Sequence, residues 1–189
     1  MTRNAIPLLL LGAMALPAMA EPVNFRLDPD HTFVYFEVLR LGTTTDRGRF
    51  DRKGGSVTLD RAAKTGKADI VLEIDSLNTG VPAFTGVVKG KNFLNAAEFP
   101  TAKFVGDRFS FEGDKVAAVD GMLTLAGKTN PVKLSAMRFN CYESTQLKRE
   151  VCGGDFETTI QRSQWGLTGA SAFVAESVRL LVSIEGIRE

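Results

Sequence analysis

Apolar and polar residues alternate with period two along most of the chain, the mark of strands with one buried face. Val23, Phe25 and Leu27 alternate with Asn24 and Arg26. Val34, Phe36 and Val38 share one face of a second run, and Tyr35, Glu37 and Leu39 share the other. Ile70, Leu72 and Ile74 repeat the pattern, Leu123 and Leu125 follow Gly121, and Val132, Leu134 and Ala136 alternate with Lys133 and Ser135. The last run is the most regular, with Val178, Leu180, Val182 and Ile184 opposed to Arg179, Leu181, Ser183 and Glu185. Turn-forming groups such as Asp28-Pro29-Asp30, Gly54-Gly55, Glu112-Gly113-Asp114 and Ala126-Gly127 separate the runs at short intervals. Together they predict an all-β fold of roughly eight or more antiparallel strands, a sandwich or a barrel. In "FVGDRFSF" Phe104 falls on the opposite parity from Phe109 and Phe111, and a bulge at Gly106 reconciles them.

One stretch breaks the alternation. Asn78 to Pro100 predicts a short helix near Lys89 to Asn95, ended before Pro100 and capping one end of the sheet. The chain shows no solenoid-length repeat, linker or low-complexity tract, so residues 21–189 read as one domain.

The first twenty residues follow a different rule. Arg3, an apolar run from Ile6 to Leu16 and the ending Ala18-Met19-Ala20 predict a secretory signal peptide over 1–20, cut after Ala20. The apolar run is shorter than the ~20 residues a membrane-spanning helix needs. The expected location is therefore the periplasm. The chain has 23 Lys and Arg against 22 Asp and Glu, and Arg3 lies in the leader, so the remainder balances. With neither a basic excess nor a basic run, nucleic acid is not an expected partner. An oxidising compartment favours pairing the two cysteines, Cys141 and Cys152, as a disulfide that stabilises the fold by up to roughly 3 kcal/mol. The polar stretch between them reads as an exposed loop tied at its base.

Candidate chemistry is sparse. The sequence contains no G-x-S-x-G elbow, phosphate-binding loop, H-E-x-x-H or dinucleotide fingerprint. A metal site needs more His or Cys than one histidine and a paired cysteine couple supply, and no cofactor is expected. His31 is the only histidine. It can hydrogen-bond the Asp28-Pro29-Asp30 turn to a neighbouring strand, contact a ligand, or serve as the base of a secreted hydrolase or lipid-modifying enzyme.

The stretch "HTFVYFEVLRLG" fits an opening pattern H-[S/T/A]-x-V-x-F-x-[V/I]-x-H-x-G, apart from Arg40 at the second histidine. "GRFDRKGGSVTLD", "LEIDSLNTG", "KGKNFLNAAEFPTAKF", "GMLTLAGKTNPVKL", "FETTIQRSQWGL" and "SVRLLVSIEG" follow in order. Over essentially the whole of residues 21–189, the chain resembles the YceI-like family of periplasmic polyisoprenoid-binding proteins. Two further departures are Ser163-Gln164-Trp165, where relatives commonly carry an acidic or polar residue before Phe, and the Cys141–Cys152 segment, found in part of the family.

The resemblance implies a lipocalin-like antiparallel barrel of about eight strands. It also implies a non-catalytic carrier whose apolar interior holds one long isoprenoid or fatty lipid, of the isoprenoid quinone or prenyl phosphate type. Transient contact with a membrane or a membrane protein would accompany such a role. The expected wall is Val34, Phe36, Val38, Ile70, Leu72, Ile74, Phe104, Leu123, Val132, Leu134, Val178, Leu180 and Val182, with His31 as a further ligand contact. Arg40 shares the parity of Val34, Phe36 and Val38 and falls at the end of its strand. It can reach solvent at the rim, pair with an acid or meet a polar head group.

Overall fold

The alternating runs pair into one closed antiparallel sheet. In this computed structural model, which describes residues 21–189, the strands are β1 (Val23–Leu27), β2 (Phe33–Arg40), β3 (Thr44–Phe50), β4 (Lys53–Asp60), β5 (Thr65–Glu73), β6 (Leu77–Asn78), β7 (Thr101–Glu112), β8 (Lys115–Leu125), β9 (Lys128–Ser144), β10 (Arg149–Gln161) and β11 (Val174–Arg188). The predicted signal peptide lies outside the described residues. Neighbours run β1-β4-β5-β7-β8-β9-β10-β11, and β1 pairs with β11 to close the ring. β2 continues β1 along the same edge of β11, and β3 lies on β2 as β4 lies on β1. Each of these pairs is one interrupted strand, so the barrel has eight strands, as the alternation and the resemblance predict. The interruption between β1 and β2 is held by Thr32, which is fully buried. Its hydroxyl donates to the Glu185 carbonyl at 3.4 Å and accepts from the Glu185 N–H at 3.2 Å, replacing the ladder where the strand bends.

The short helix predicted between the mid-chain strands is present, but α1 spans Pro82–Lys89 rather than Lys89 to Asn95. Proline fits the first helical position, where no N–H is needed, and Gly90 ends the helix. Asn95, with φ 48, is left-handed and cannot lie inside a helix. Three glycines, Gly80, Gly86 and Gly90, hide the Phe84–Val88 spacing that places two apolar side chains on one helical face.

In β7 the register on β8 slips between Gly106 and Arg108, so Asp107 is the extra residue beside the expected bulge. Phe104 and Phe109 both turn inward as a result. The disulfide Cys141–Cys152 forms, but it does not tie the base of a loop. β9 and β10 run past it to a turn after Ser144, and the two cysteines are direct cross-strand partners with Cα atoms 4.1 Å apart. Their strand propensity continues through polar residues because this end of the hairpin projects into solvent, where only the ladder must be satisfied.

On the outer wall Arg47, Glu37 and Arg179 form a ladder across β3, β2 and β11, with Glu37 contacted at 2.8 Å and 3.4 Å. The hydrogen bond from Arg47 leads in holding the Glu37 carboxyl below its ordinary range. Exposed pairs of this kind are worth about 0.2–1 kcal/mol each and specify strand register more than stability.

Candidate functional site: an apolar chamber through the barrel

The inward side chains fill the barrel only in part, as in the cluster of Phe25, Leu59, Val119 and Phe156. The inward faces enclose two abutting chambers of about 1090 Å³ and about 1000 Å³, mouths included. Val34, Leu72, Ala102, Leu123 and Leu180 line both and form a waist between them. The chamber nearer the disulfide is walled by Ile70, Phe104, Val132, Leu134 and Val182. The chamber under α1 is walled by Phe36, Val38 and Val178, with Phe84 and Val88 from the helix. Strand period alone therefore brings twelve of the expected wall residues to the two chambers.

Three expected residues do not line them. β5 ends at Glu73, and a 3-10 turn, Ile74–Ser76, takes Ile74 off the strand period. Ile74 is 1% exposed and packs among Phe50, Leu77, Leu94 and Ala102. Arg40 is half exposed at the rim, with Nε 3.7 Å from an Asp46 carboxylate oxygen. Of the options open to it, it takes both the rim and the acid, because the last residue of β2 has water within reach. His31 stands outside the barrel, on the bend between β1 and β2, where its side chain is 68% exposed. The bend turns the chain so that Thr32, not His31, faces the chamber.

His31 Nδ1 lies 2.8 Å from Asp28 Oδ2. The Asp28 hydrogen bond, with its charge, raises the His31 pKa above its ordinary value. For Asp28, partial burial acts upward, and the hydrogen bonds from His31 and the Asp30 N–H outweigh it and lower the carboxyl. Among the described residues no Ser, Thr or Cys side chain hydrogen-bonds the His31 ring. Asp28, His31 and Glu185 offer oxygen and nitrogen atoms within 4.8 Å of one another, but the first two are already engaged together.

Several side chains around the chambers were not assigned to the wall from the sequence. Phe25, Val57, Leu59, Val119, Phe156 and Ile184 also line the lower chamber, and their alternation was the signal that could have found them. Arg162 had none. It follows β10 and is 4% exposed, with Nε donating to the Ala175 carbonyl at 3.0 Å and the terminal nitrogens to the carbonyls of Leu167, Gly169 and Val174. It thereby fastens the segment leading into β11, from which Leu167 and Val174 reach the upper chamber. Trp165, 1% exposed, donates its indole N–H to the Leu123 carbonyl at 3.0 Å and packs on Val132 and Ile160.

Glycines keep the interior hollow despite its phenylalanines. Gly48 lies directly opposite Phe36, and a β-carbon there would come within 2.4 Å of the Phe36 ring. A β-carbon at Gly66 would come within 2.8 Å of Phe109, and one at Gly106 within 3.0 Å of Phe104. The rings lie over bare backbone, flat along the wall, instead of projecting across the barrel.

A closed eight-stranded antiparallel barrel around an elongated apolar interior defines a lipocalin-like barrel. The profile of the YceI-like domain matches residues 25–186, and the chain belongs to that family. Proteins designated UPF0312 from Ectopseudomonas mendocina and from Pseudomonas putida strain W619 are 28% and 29% identical to it, each over the full length of both chains. Among solved structures, Burkholderia cenocepacia BcnA superposes with a TM-score of 0.68 at 22% identity, covering 84% of this chain and 98% of that one. A polyisoprenoid-binding domain from Saccharophagus degradans superposes with a TM-score of 0.61 at 14% identity, covering 89% of this chain and 100% of that one.

Proposed function

We propose that the protein is a non-catalytic, exported carrier that holds one long-chain apolar lipid, of the polyisoprenoid type, along the two chambers. The observation that carries this reading is the state of the inward wall. Phe36, Leu72, Phe104, Leu134, Val178, Leu180 and Val182 face the interior yet are only half-buried. In a filled core such side chains would be sealed on all sides at crystal-like density. Here their remaining surface faces an apolar cavity, which water wets poorly. A chain of ~40 carbons at ~0.3 kcal/mol per heavy atom supplies about 12 kcal/mol before ordering costs, enough for stable binding with no covalent step. The S. degradans barrel is a polyisoprenoid-binding domain, which supports the choice of an isoprenoid. A quinone or a prenyl phosphate belongs to that class. The leader pattern in residues 1–20 supports export to the periplasm.

Protein purified from its own host should release one equivalent of such a lipid on organic extraction, seen by native mass spectrometry as a single mass increment. No co-purifying lipid together with no uptake of added isoprenoids would sink the carrier reading. Arg40, at the rim of the upper chamber, is positioned for a polar head whose tail lies below it. Arg40→Ala should therefore weaken an anionic-headed isoprenoid, measured by fluorescence competition, more than a neutral-headed one of equal length. Equal loss for both would leave Arg40 without a head-group role. The alternative reading, a hydrolase with His31 as base, has the Asp28–His31 contact in its favour. His31→Ala separates the two, because an enzyme would lose turnover by orders of magnitude, whereas a carrier would keep its ligand.

A further inference from the structure

We propose that the α1 end of the barrel docks on the surface of an anionic phospholipid bilayer, with the mouth of the upper chamber facing the lipid. The two ends of the barrel differ in kind. At the disulfide end the turns carry charges of both signs, among them Asp60, Arg61, Lys64, Asp114 and Lys148, a hydrated surface. At the α1 end, three segments surround the mouth: 39–45 at the β2–β3 hairpin, 79–92 with α1, and 166–175 before β11. None of the three contains an aspartate or a glutamate, but Arg40 pairs with Asp46 at the chamber wall (3.7 Å) and Lys89 with Asp75 (2.8 Å), which leaves Lys91 as the cation of these segments in no ion pair among the described residues.

The same segments carry four of the most exposed large apolar side chains: Leu41 at 57%, Phe173 at 58%, Val81 at 55% and Val87 at 54%. The Leu41 N–H donates to the Phe173 carbonyl at 2.8 Å, which sets these two side by side. Val81 and Val87 flank Phe84 and Val88, which line the chamber beneath. Leu41 is also held in the left-handed region, φ 52, before Gly42 at φ 68. This is a turn position that favours Asn or Gly, so an exposed leucine there is costly twice over. Apolar side chains at the tips of loops, with the unpaired Lys91 beside them, match the interfacial region of a membrane, where insertion and attraction to anionic lipid add. Four separate side chains fall short of the roughly 800 Å² that each partner gives a standard protein interface.

The purpose of such docking rests on the lipid-carrier reading, but docking itself is measured without cargo. Delipidated protein of residues 21–189, without the leader, is floated with vesicles of phosphatidylglycerol and phosphatidylethanolamine, or of phosphatidylcholine alone. Wild type should float with the anionic vesicles and should be released by high salt. The Leu41→Ser/Phe173→Ser double variant should lose at least tenfold in partitioning, and Lys91→Glu at least about fivefold, given roughly that factor per basic residue at an anionic surface. Met137→Ser, an equally exposed apolar residue on the outer wall, should float like wild type. All four residues are exposed, and circular dichroism checks that each variant is folded. Absence of flotation by wild type, or equal flotation by the double variant, would overturn the proposal. So would a dimer in light scattering that the double variant converts to monomer, since the patch would then be a self-interface. Cargo retention, followed separately by native mass spectrometry, distinguishes the two ideas: protein that holds lipid but does not float defeats docking alone, and protein that floats without ever taking lipid defeats the carrier reading alone.

Discussion

Arg162 and His31 are two basic side chains in opposite circumstances. Arg162 is sealed from solvent with no carboxylate bound to it, and four backbone carbonyls take its donors. A buried guanidinium is tolerated only with that degree of satisfaction. Arg162→Gln should cost on the order of 3 kcal/mol in urea unfolding, because charge-assisted bonds are lost and carbonyls are left without partners. Hydrogen exchange in residues 166–174 should rise with it; unchanged protection there would mean that the segment is held by something else. His31 is bathed in water, and its effect is one of pH. Its folded pKa is raised, so its contribution is complete below the ordinary 6.5 and is lost as pH rises through the raised value. Asp28 is lowered, so its contribution is complete above the ordinary 3.8 and is lost as pH falls through the lowered value. His31→Ala should therefore destabilise most near pH 5 and least near pH 9. A denaturation midpoint difference independent of pH would dissociate the pair from stability.

At the level of elements, the hollow interior depends on small residues that face large ones. Gly48→Val would drive the Phe36 ring off the wall and into the upper chamber, since no room exists for a side chain beneath it. The expected result is a folded barrel, with Tm lowered by a few degrees, that binds a long isoprenoid at least tenfold more weakly; unaltered affinity would show that the ring can move elsewhere. Period two in β2 and β11 was legible because one face of each strand meets lipid-like space and the other meets water, so every second residue is constrained. The glycine partners were not, since pairing across strands depends on register that a single run cannot reveal. Ile74 was misplaced for a related reason: its parity is right for a strand that stops one residue earlier. The helix was displaced because glycines diluted its apolar stripe. Arg162 was invisible because four backbone carbonyls from a non-adjacent segment define its site, and carbonyls have no sequence signature.

For the whole molecule, an apolar interior that is not filled by its own side chains leaves stability incomplete. The wall residues that remain half-buried have given up only part of the transfer free energy, about 25 cal/mol per Å² of apolar surface, that a filled core would collect. A lipid that covers them binds only the folded barrel and so adds RT ln(1 + [L]/Kd), about 2.7 kcal/mol at one hundred times Kd. At roughly 2–4 °C per kcal/mol for a chain of this size, that is a rise in Tm of about 5–10 °C. Delipidated protein should therefore melt that far below protein resaturated with a polyprenol, in differential scanning calorimetry at fixed protein concentration. The rise should shorten with the ligand: a ten-carbon chain fills one chamber in part, whereas a chain long enough to pass the Val34–Leu180 waist gains contacts in both. If the increment is the same for ten carbons as for forty, only one chamber is used, and the waist is a wall rather than a passage.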